Sequence, residues 1–312
     1  MNKGVDPTLS LVIPVYNEAG SVTELHRELL SVLNPLGESF EIIFIDDGST
    51  DRTFEILSKL KSVKVIRFTR NFGKSQALQA GFDEASGEYV ITMDGDLQDD
   101  PKEIPNFLRT IKEKNADLVV GWKQRRLDPG NKKIASRLAN RVTSALTGVS
   151  IHDMNCCFKI YRGDVARELQ LYGDLHRFIP ALVAAHGHTV IEMPVNHRAR
   201  QFGNSKYGVT RLFTSLFDFF SIIFINRFTD RPMHFFGGSG FIFGSIGFLI
   251  LLYLTYEKLF SGVLIGNRPL LLFGVLLVLL GVQLLSLGFI GDMVVRSGPP
   301  GAHNFVVKDK IN

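Results

Sequence analysis

The run from Met93 to Pro101, MDGDLQDDP, places two carboxylates one residue apart, an amide two residues further on, and two more acids before a proline. If the chain stays extended as it leaves the apolar run EYVITM, alternate side chains share a face, and Asp94, Asp96 and Gln98 converge on one point. An all-oxygen cluster of that kind suits a hard divalent cation, Mg2+ or Mn2+, which keeps waters and takes further ligands from substrate phosphates. The chemistry to expect is expulsion of a phosphate leaving group, whose developing negative charge a cation stabilises. Asp99 and Asp100 fit a plainer role, a polar turn that caps the next helix.

Two other acidic groups stand at the ends of apolar runs. VIPVYNE carries Pro14, Tyr16, Asn17 and Glu18, and IDDGSTD carries Asp46 and Asp47 ahead of Gly48. Carboxylates there can accept hydrogen bonds from a nucleobase N–H or ribose hydroxyls, and Tyr16 can stack on a base. Each group taken alone is also ordinary turn chemistry.

Elements that could position these residues are legible as an α/β alternation. LSLVIPVY, FEIIFID, VKVIRF, EYVITMD and ADLVVG are short apolar runs rich in β-branched residues, each followed by polar or Gly-containing turns, and they read as buried strands of a mostly parallel sheet. Val190–Pro194 reads as one more strand. The clearest helix opens with Asp100 as N-cap and Pro101 at the first helical position, with Ile104, Phe107, Leu108 and Ile111 on one face. Another is expected to start at Ser49 or Thr50. In such sheets ligands bind beyond the carboxyl ends of strands, where the acids fall.

Composition divides the 312 residues into unlike halves under a net charge of only +4. Neither Phe235–Tyr256 nor Pro269–Gly291 contains a charged residue, and each exceeds the roughly 20 residues a helix needs to cross hydrocarbon. Their place near the C-terminal end and the polar MNKGVDPT start argue against a cleaved signal, so the first domain is expected in the cytosol. Arg227 and Arg231 before the first span, and Arg296, Lys308 and Lys310 after the second, predict a hairpin with both ends inside. Between His197 and Arg231, six Lys or Arg interleave with Phe, Leu and Ile against two Asp, the pattern of a basic amphipathic segment in the interface. Gly240, Gly244 and Gly247, and Gly274, Gly281 and Gly288, follow helical spacing and would allow close helix contact, within the hairpin or between subunits as a homo-oligomer. Cys156 and Cys157 are adjacent, which suits neither an ordinary disulfide nor a complete zinc site, and both are expected reduced and semi-buried.

In this order and spacing, VIPVYNE, IDDGSTD and MDGDLQDDP resemble the family 2 inverting glycosyltransferases of GT-A type, and within them the polyprenyl-phosphate branch. The resemblance extends over RNFGKSQALQAGFDEASGEYV, VVGWKQRR, HDMNCCFKIYR, RARQFGNSKYG and the C-terminal hairpin. It implies a Rossmann-like catalytic domain over residues 1–196, a basic amphipathic segment with interfacial helices over 197–232, a two-helix transmembrane hairpin over 233–291 and a cytoplasmic tail over 292–312. It further implies that Pro14, Tyr16, Glu18 and Asp47 contact the nucleoside, with Asp94, Asp96 and Gln98 serving metal and diphosphate. Seven Lys or Arg between Lys123 and Arg141 then become a donor-diphosphate clamp, with Arg126 and Arg137 preferred because Arg binds phosphate bidentately. By the same resemblance Arg200, Ser205 and Lys206, near Arg198, would hold the acceptor phosphate. Asp153 is the implied general base or acceptor-orienting group, and Lys159 stands where Arg is commoner.

The implied reaction moves a hexose from a nucleotide sugar, UDP-glucose first and GDP-mannose as the alternative, to a polyprenyl phosphate at the cytoplasmic face of a bacterial inner membrane. No nucleic-acid partner is expected. A processive polysaccharide synthase is disfavoured, because the only tryptophan, Trp122, lies outside a Gln-x-x-Arg-Trp motif and two spans cannot line a polymer channel. A non-catalytic membrane scaffold for glycan assembly would have no need of the carboxylates.

Overall fold

The computed structural model describes residues 7–123, 151–196, 198, 232–262, 264–266 and 268–296. The chain divides into two compact units, Met1–Phe219 and Phe220–Asn312. The expected interfacial segment 197–232 lies, apart from Arg198 and Pro232, outside the described residues, as does the tail beyond Arg296.

The first unit is built on a seven-stranded sheet in the order β3-β2-β1-β4-β6-β5-β7. Its strands are β1 (Leu9–Val15), β2 (Phe40–Asp46), β3 (Lys64–Arg67), β4 (Tyr89–Thr92), β5 (Leu118–Trp122), β6 (Lys159–Arg162) and β7 (Val190–Pro194). Six of them are the apolar runs read from the sequence. β6 was not anticipated: only Lys159–Arg162 pair, a stretch too short and too polar to show periodicity. It slots antiparallel between β4 and β5, while β1–β2, β1–β4, β2–β3 and β5–β7 are parallel.

Helices α1 (Val22–Leu33), α2 (Thr53–Leu57), α3 (Lys74–Glu84), α4 (Ile104–Lys114), α5 (Gly163–Glu168) and α6 (Ile179–Ala185) accompany the sheet. In α4 the predicted face is the buried one, Ile104, Phe107, Leu108 and Ile111. Asp100 does cap, accepting the Lys102 N–H, but the turn it caps is a 3-10 turn over Pro101–Glu103 that leads into α4. The helix expected at Ser49 or Thr50 starts later, at Thr53. Ser49 and Thr50 are spent on the turn itself: Asp46 Oδ1 accepts the Ser49 N–H at 2.9 Å and Asn17 Oδ1 accepts the Thr50 N–H at 2.8 Å. Side-chain acceptors of this kind compete with the first helical turn.

β1 is the switch point of the sheet. From it the chain winds outward through β2 and β3, then returns to β4 on the other side of β1. In sheets of this kind ligands bind beyond the carboxyl ends of the strands at such a switch point.

The second unit holds α7 (Pro232–Ser261, 30 residues) and α8 (Pro269–Arg296, 28 residues). At 1.5 Å per residue they run about 45 Å and 42 Å, long enough to cross a hydrocarbon core of about 30 Å. The two helices pack through the glycines singled out above. A Cβ on Gly240 would lie 2.7 Å from the Gly281 carbonyl oxygen, and one on Gly247 2.7 Å from that of Gly274. Large side chains such as Phe241, Phe248, Leu272 and Leu276 face outward and are exposed, the distribution expected of a lipid-facing hairpin. Arg268 donates to Glu257 across the connecting turn.

Candidate active site

Three loops meet at the carboxyl ends of β1, β2 and β4. The first two are laced together. Asn17, with φ 55°, donates its N–H to Ser49 Oγ at 2.9 Å, and the Glu18 N–H reaches Thr53 Oγ1 at 2.8 Å. The Glu18 carboxylate accepts the Ser21 hydroxyl at 3.1 Å. Pro14 pairs in register with Ile45, and Tyr16 follows at the strand end, half-buried.

Asp46 is fully buried and faces Arg67 across 3.6 Å. Asp47 uses both oxygens on a fourth segment, the loop ahead of α3: Oδ1 accepts the Phe72 N–H at 2.7 Å and Oδ2 the Gly73 N–H at 3.0 Å. Burial raises the Asp47 pKa above the usual carboxylate value; the two amides oppose the rise and Asp46 adds to it. Gly48 has φ +68°, and a Cβ there would sit 2.3 Å from the Arg70 carbonyl carbon, so only glycine lets these loops touch.

That contact brings Lys74, the first residue of α3, onto Asp94, where its ammonium pairs with Oδ1. Burial opposes ionisation of Asp94, yet Lys74 and Lys123 outweigh it and hold the carboxyl well below its ordinary range. Beneath them Asp99, fully buried, bridges: Oδ2 accepts the Asp94 N–H at 3.2 Å and Oδ1 lies 3.0 Å from Lys123 Nζ. Lys123 is raised above its usual value, burial being overcome by Asp99.

The chain does not stay extended after β4, contrary to the alternation argument. It turns at Gly95 and Asp96 and passes through Leu97 at φ 63°. A Cβ on Gly95 would be 2.6 Å from Val15 Cγ1, so glycine between the two acids lets the loop fold against β1. Asp96 is buried, and its Oδ1 accepts the Gln98 N–H at 3.1 Å. Among the described residues no three of His, Cys, Asp and Glu gather tightly enough to hold a metal by themselves. The donor chemistry still fits Mg2+ or Mn2+: Asp94 is held ionised, Asp96 and Gln98 carry further oxygen donors in the same loop, and these ions need only one or two protein carboxylates.

Asp153 is buried in the loop before β6. Its neighbours Cys156 and Cys157 are free and buried rather than semi-buried, and burial pushes both thiols up to about 12. Lys159 is enclosed too; burial lowers its pKa, and its ammonium donates to the Cys156 carbonyl. Arg198, near the residues expected to hold the acceptor, pairs with acids of the catalytic unit. It reaches Glu28 at 2.7 Å and Asp100 at 2.6 Å, while its N–H donates to the Gln98 carbonyl at 2.9 Å. Arg126, Arg137, Arg200, Ser205 and Lys206 lie outside the described residues.

Sequence reasoning missed Lys74 and His176, and it counted Lys123 among the clamp cations without foreseeing its pairing with Asp99. Ser75 Oγ and His176 Nδ1 are 2.9 Å apart, and the His176 N–H donates to the same Oγ at 3.1 Å. With the hydroxyl as donor to Nδ1 the ring is neutral. Burial, with Lys74 and Arg177 adding to it, lowers the His176 pKa to about 2. A Gly-Lys pair opening a helix after β3 was the available signal for Lys74; nothing local marked His176.

A mostly parallel sheet with acids and lysines gathered over its switch point defines a GT-A type glycosyltransferase fold. The chain belongs to glycosyl transferase family 2, whose family model matches residues 10–170. It is 41% identical over 297 residues to dodecaprenyl-phosphate galacturonate synthase of Rhizobium johnstonii, covering 93% of this chain and 88% of that one. It is 34% identical over 294 residues to undecaprenyl-phosphate 4-deoxy-4-formamido-L-arabinose transferase of Pseudomonas aeruginosa, covering 92% and 85%. The fold is also that of glucosyl-3-phosphoglycerate synthase from Mycobacterium tuberculosis, solved with Mn2+, UDP-glucose and phosphoglyceric acid. That match has TM-score 0.55 and 18% identity, over 70% of this chain and 79% of that one.

Proposed function

We propose that this protein transfers a glycosyl group from a nucleotide sugar to the phosphate of a polyprenyl lipid, in one displacement that inverts the anomeric centre. The observation that carries the reading is the meeting of Asp47, Lys74, Asp94 and Asp99 at the carboxyl ends of β2 and β4, in a chain whose 41%-identical relative is a polyprenyl-phosphate sugar synthase.

Pro14, Tyr16, Glu18 and Asp47 form the nucleoside side of the site. Asp94, Asp96 and Gln98 would hold Mg2+ or Mn2+, and the bound ion would neutralise charge on the departing diphosphate. Lys74 and Lys123 keep the Asp94 end of this loop ionised, and Arg126 and Arg137 supply the phosphate clamp. Arg200, Ser205 and Lys206 hold the acceptor phosphate, and Asp153 orients it. A strong base is unnecessary, because a phosphate monoester already carries about −1.5 to −2 charges near neutral pH. Most of the acceleration then comes from positioning and charge neutralisation.

The acceptor is a lipid, and α7 and α8 anchor the enzyme where such a lipid is found, with the catalytic unit on the cytoplasmic side of a bacterial inner membrane. UDP-glucose is the first donor to offer. UDP-galacturonate stands beside it because the Rhizobium johnstonii relative is a galacturonate synthase. The test supplies full-length enzyme with a short polyprenyl phosphate, Mn2+ or Mg2+, and a panel of UDP-glucose, UDP-galacturonate, a UDP-aminoarabinose derivative and GDP-mannose. Mass spectrometry of the lipid fraction should show one sugar joined through a single phosphate. Free sugar alone, or a lipid diphosphate product, would overturn the proposal.

A further inference from the structure

The loop bearing Asp153 is gripped from two strands. Glu192 of β7 is the register partner of Val120 in β5. Trp122 stands two residues beyond Val120, so alternation brings it out on the same face of the sheet as Glu192. His152 is held by both. Its ring stacks on Trp122 with centroids 4.2 Å apart and planes 14° from parallel, and its Nδ1 lies 2.8 Å from Glu192 Oε2.

The other oxygen of Glu192 takes the backbone. Oε1 accepts the N–H of His152 at 2.9 Å and the N–H of Asp153 at 3.0 Å. Two consecutive amides aimed at one oxygen fix the peptide plane between them, and with it the direction in which the Asp153 side chain leaves the chain. The Glu192 side chain is only 11% exposed, so water competes weakly for it. This loop belongs to neither a helix nor a strand, and main-chain pairing cannot supply the rigidity that transfer needs.

We propose that Glu192 is a positioning residue: by clasping the amides of His152 and Asp153, and by holding the imidazole against Trp122, it sets the Asp153 carboxylate toward the acceptor phosphate. The proposal rests on Asp153 acting on the acceptor. It assigns Glu192, His152 and Trp122 a job that neither the metal-binding loop nor the nucleoside loops perform.

Trp122 is the only tryptophan in the chain, so its fluorescence in detergent-solubilised full-length enzyme reads the stack directly. Replacing Glu192 by Ala should change Trp122 emission in the same direction as His152→Ala. It should also lower kcat about tenfold while the donor KM moves less than about twofold. Glu192→Gln, whose amide oxygen can still accept both N–H groups, should recover most of that loss, which a requirement for bulk charge would not allow. His152→Ala removes a ring whose side chain is 64% exposed, so it keeps the fold and should lower kcat about threefold. Adding Glu192→Ala to Asp153→Asn should cost nothing beyond Asp153→Asn alone, because both act through one group. Multiplying effects in that double variant, or Trp122 emission indifferent to Glu192→Ala, would overturn the proposal. Wild-type kcat in Asp153→Asn would remove Asp153 from the reaction and the positioning role with it. A Trp122 signal that still answered Glu192→Ala would distinguish that failure from absence of the clamp.

Discussion

The ammonium of Lys74 is in direct contact with Oδ1 of Asp94, joining the first turn of α3 to the loop after β4. These residues are 20 apart in sequence and meet because Asp47 draws the Phe72 and Gly73 amides across the end of β2. Lys74 therefore balances the charge of Asp94, and in the proposed reaction it stands on the diphosphate side of the donor. Lys74→Met should lower kcat/KM for the nucleotide sugar by about ten- to a hundredfold, or about 1.4–2.8 kcal/mol of transition-state stabilisation. Steady-state kinetics with the lipid acceptor saturating checks this. Unchanged kcat/KM would reduce the ion pair to a structural contact.

Asp96 carries a sharper expectation. It is buried beside the turn at Gly95, and in the proposed reaction its carboxylate is a ligand of the cation. Asp96→Ala should bring turnover down by about a thousandfold or more, the scale on which removing a key electrostatic group acts. EDTA should do the same to the wild-type enzyme, with recovery on adding Mn2+ or Mg2+. Full activity in EDTA would remove the metal from this mechanism.

How much of this could be read in the sequence depended on whether the physics was local. Apolar runs ending in acids located the strands around the site, and the face of α4 followed from spacing alone. The DGD turn was misjudged because extended alternation is a default for strands, whereas Val15 pressing on Gly95 is a tertiary contact with no trace in the local pattern. Lys74, His176 and Glu192 were silent for the same reason, since each acts on a residue at least 20 positions away. Arg198 was likewise silent: nothing local in RARQFGNSKYG marks its pairing with Glu28 and Asp100, 170 and 98 positions away.

The hairpin offers a test that leaves the catalytic unit alone. Gly281 has backbone of both Gly240 and Gly244 within 2.7 Å of where a Cβ would stand, and backbone cannot yield as a flexible side chain would. Gly281→Leu should separate α7 from α8 and lower stability by about 1–3 kcal/mol, the usual cost of overpacking. Thermal unfolding in detergent, with protease cleavage between α7 and α8, checks it. A change at Gly238, which has nothing within 4 Å of its would-be Cβ, should be silent by both measures.

Acid should weaken the catalytic unit through His176. Its folded-state pKa is lowered to about 2, while an unfolded histidine titrates near 6.5. Between those values the unfolded chain binds a proton that the folded protein refuses, so stability rises with pH across that window and is level above it. One such group contributes a slope of about 1.4 kcal/mol per pH unit below about pH 6.5. Asp94, whose folded pKa is lowered, acts in the same direction at lower pH, so the histidine must be isolated by difference. His176→Asn keeps an acceptor for the Ser75 hydroxyl and has nothing to protonate. Denaturant unfolding at pH 7 and pH 5.5 should show the wild-type enzyme losing about 1 kcal/mol more than this variant on acidification. Equal losses would mean that the ring is protonated in the folded protein and that Ser75 accepts from it instead.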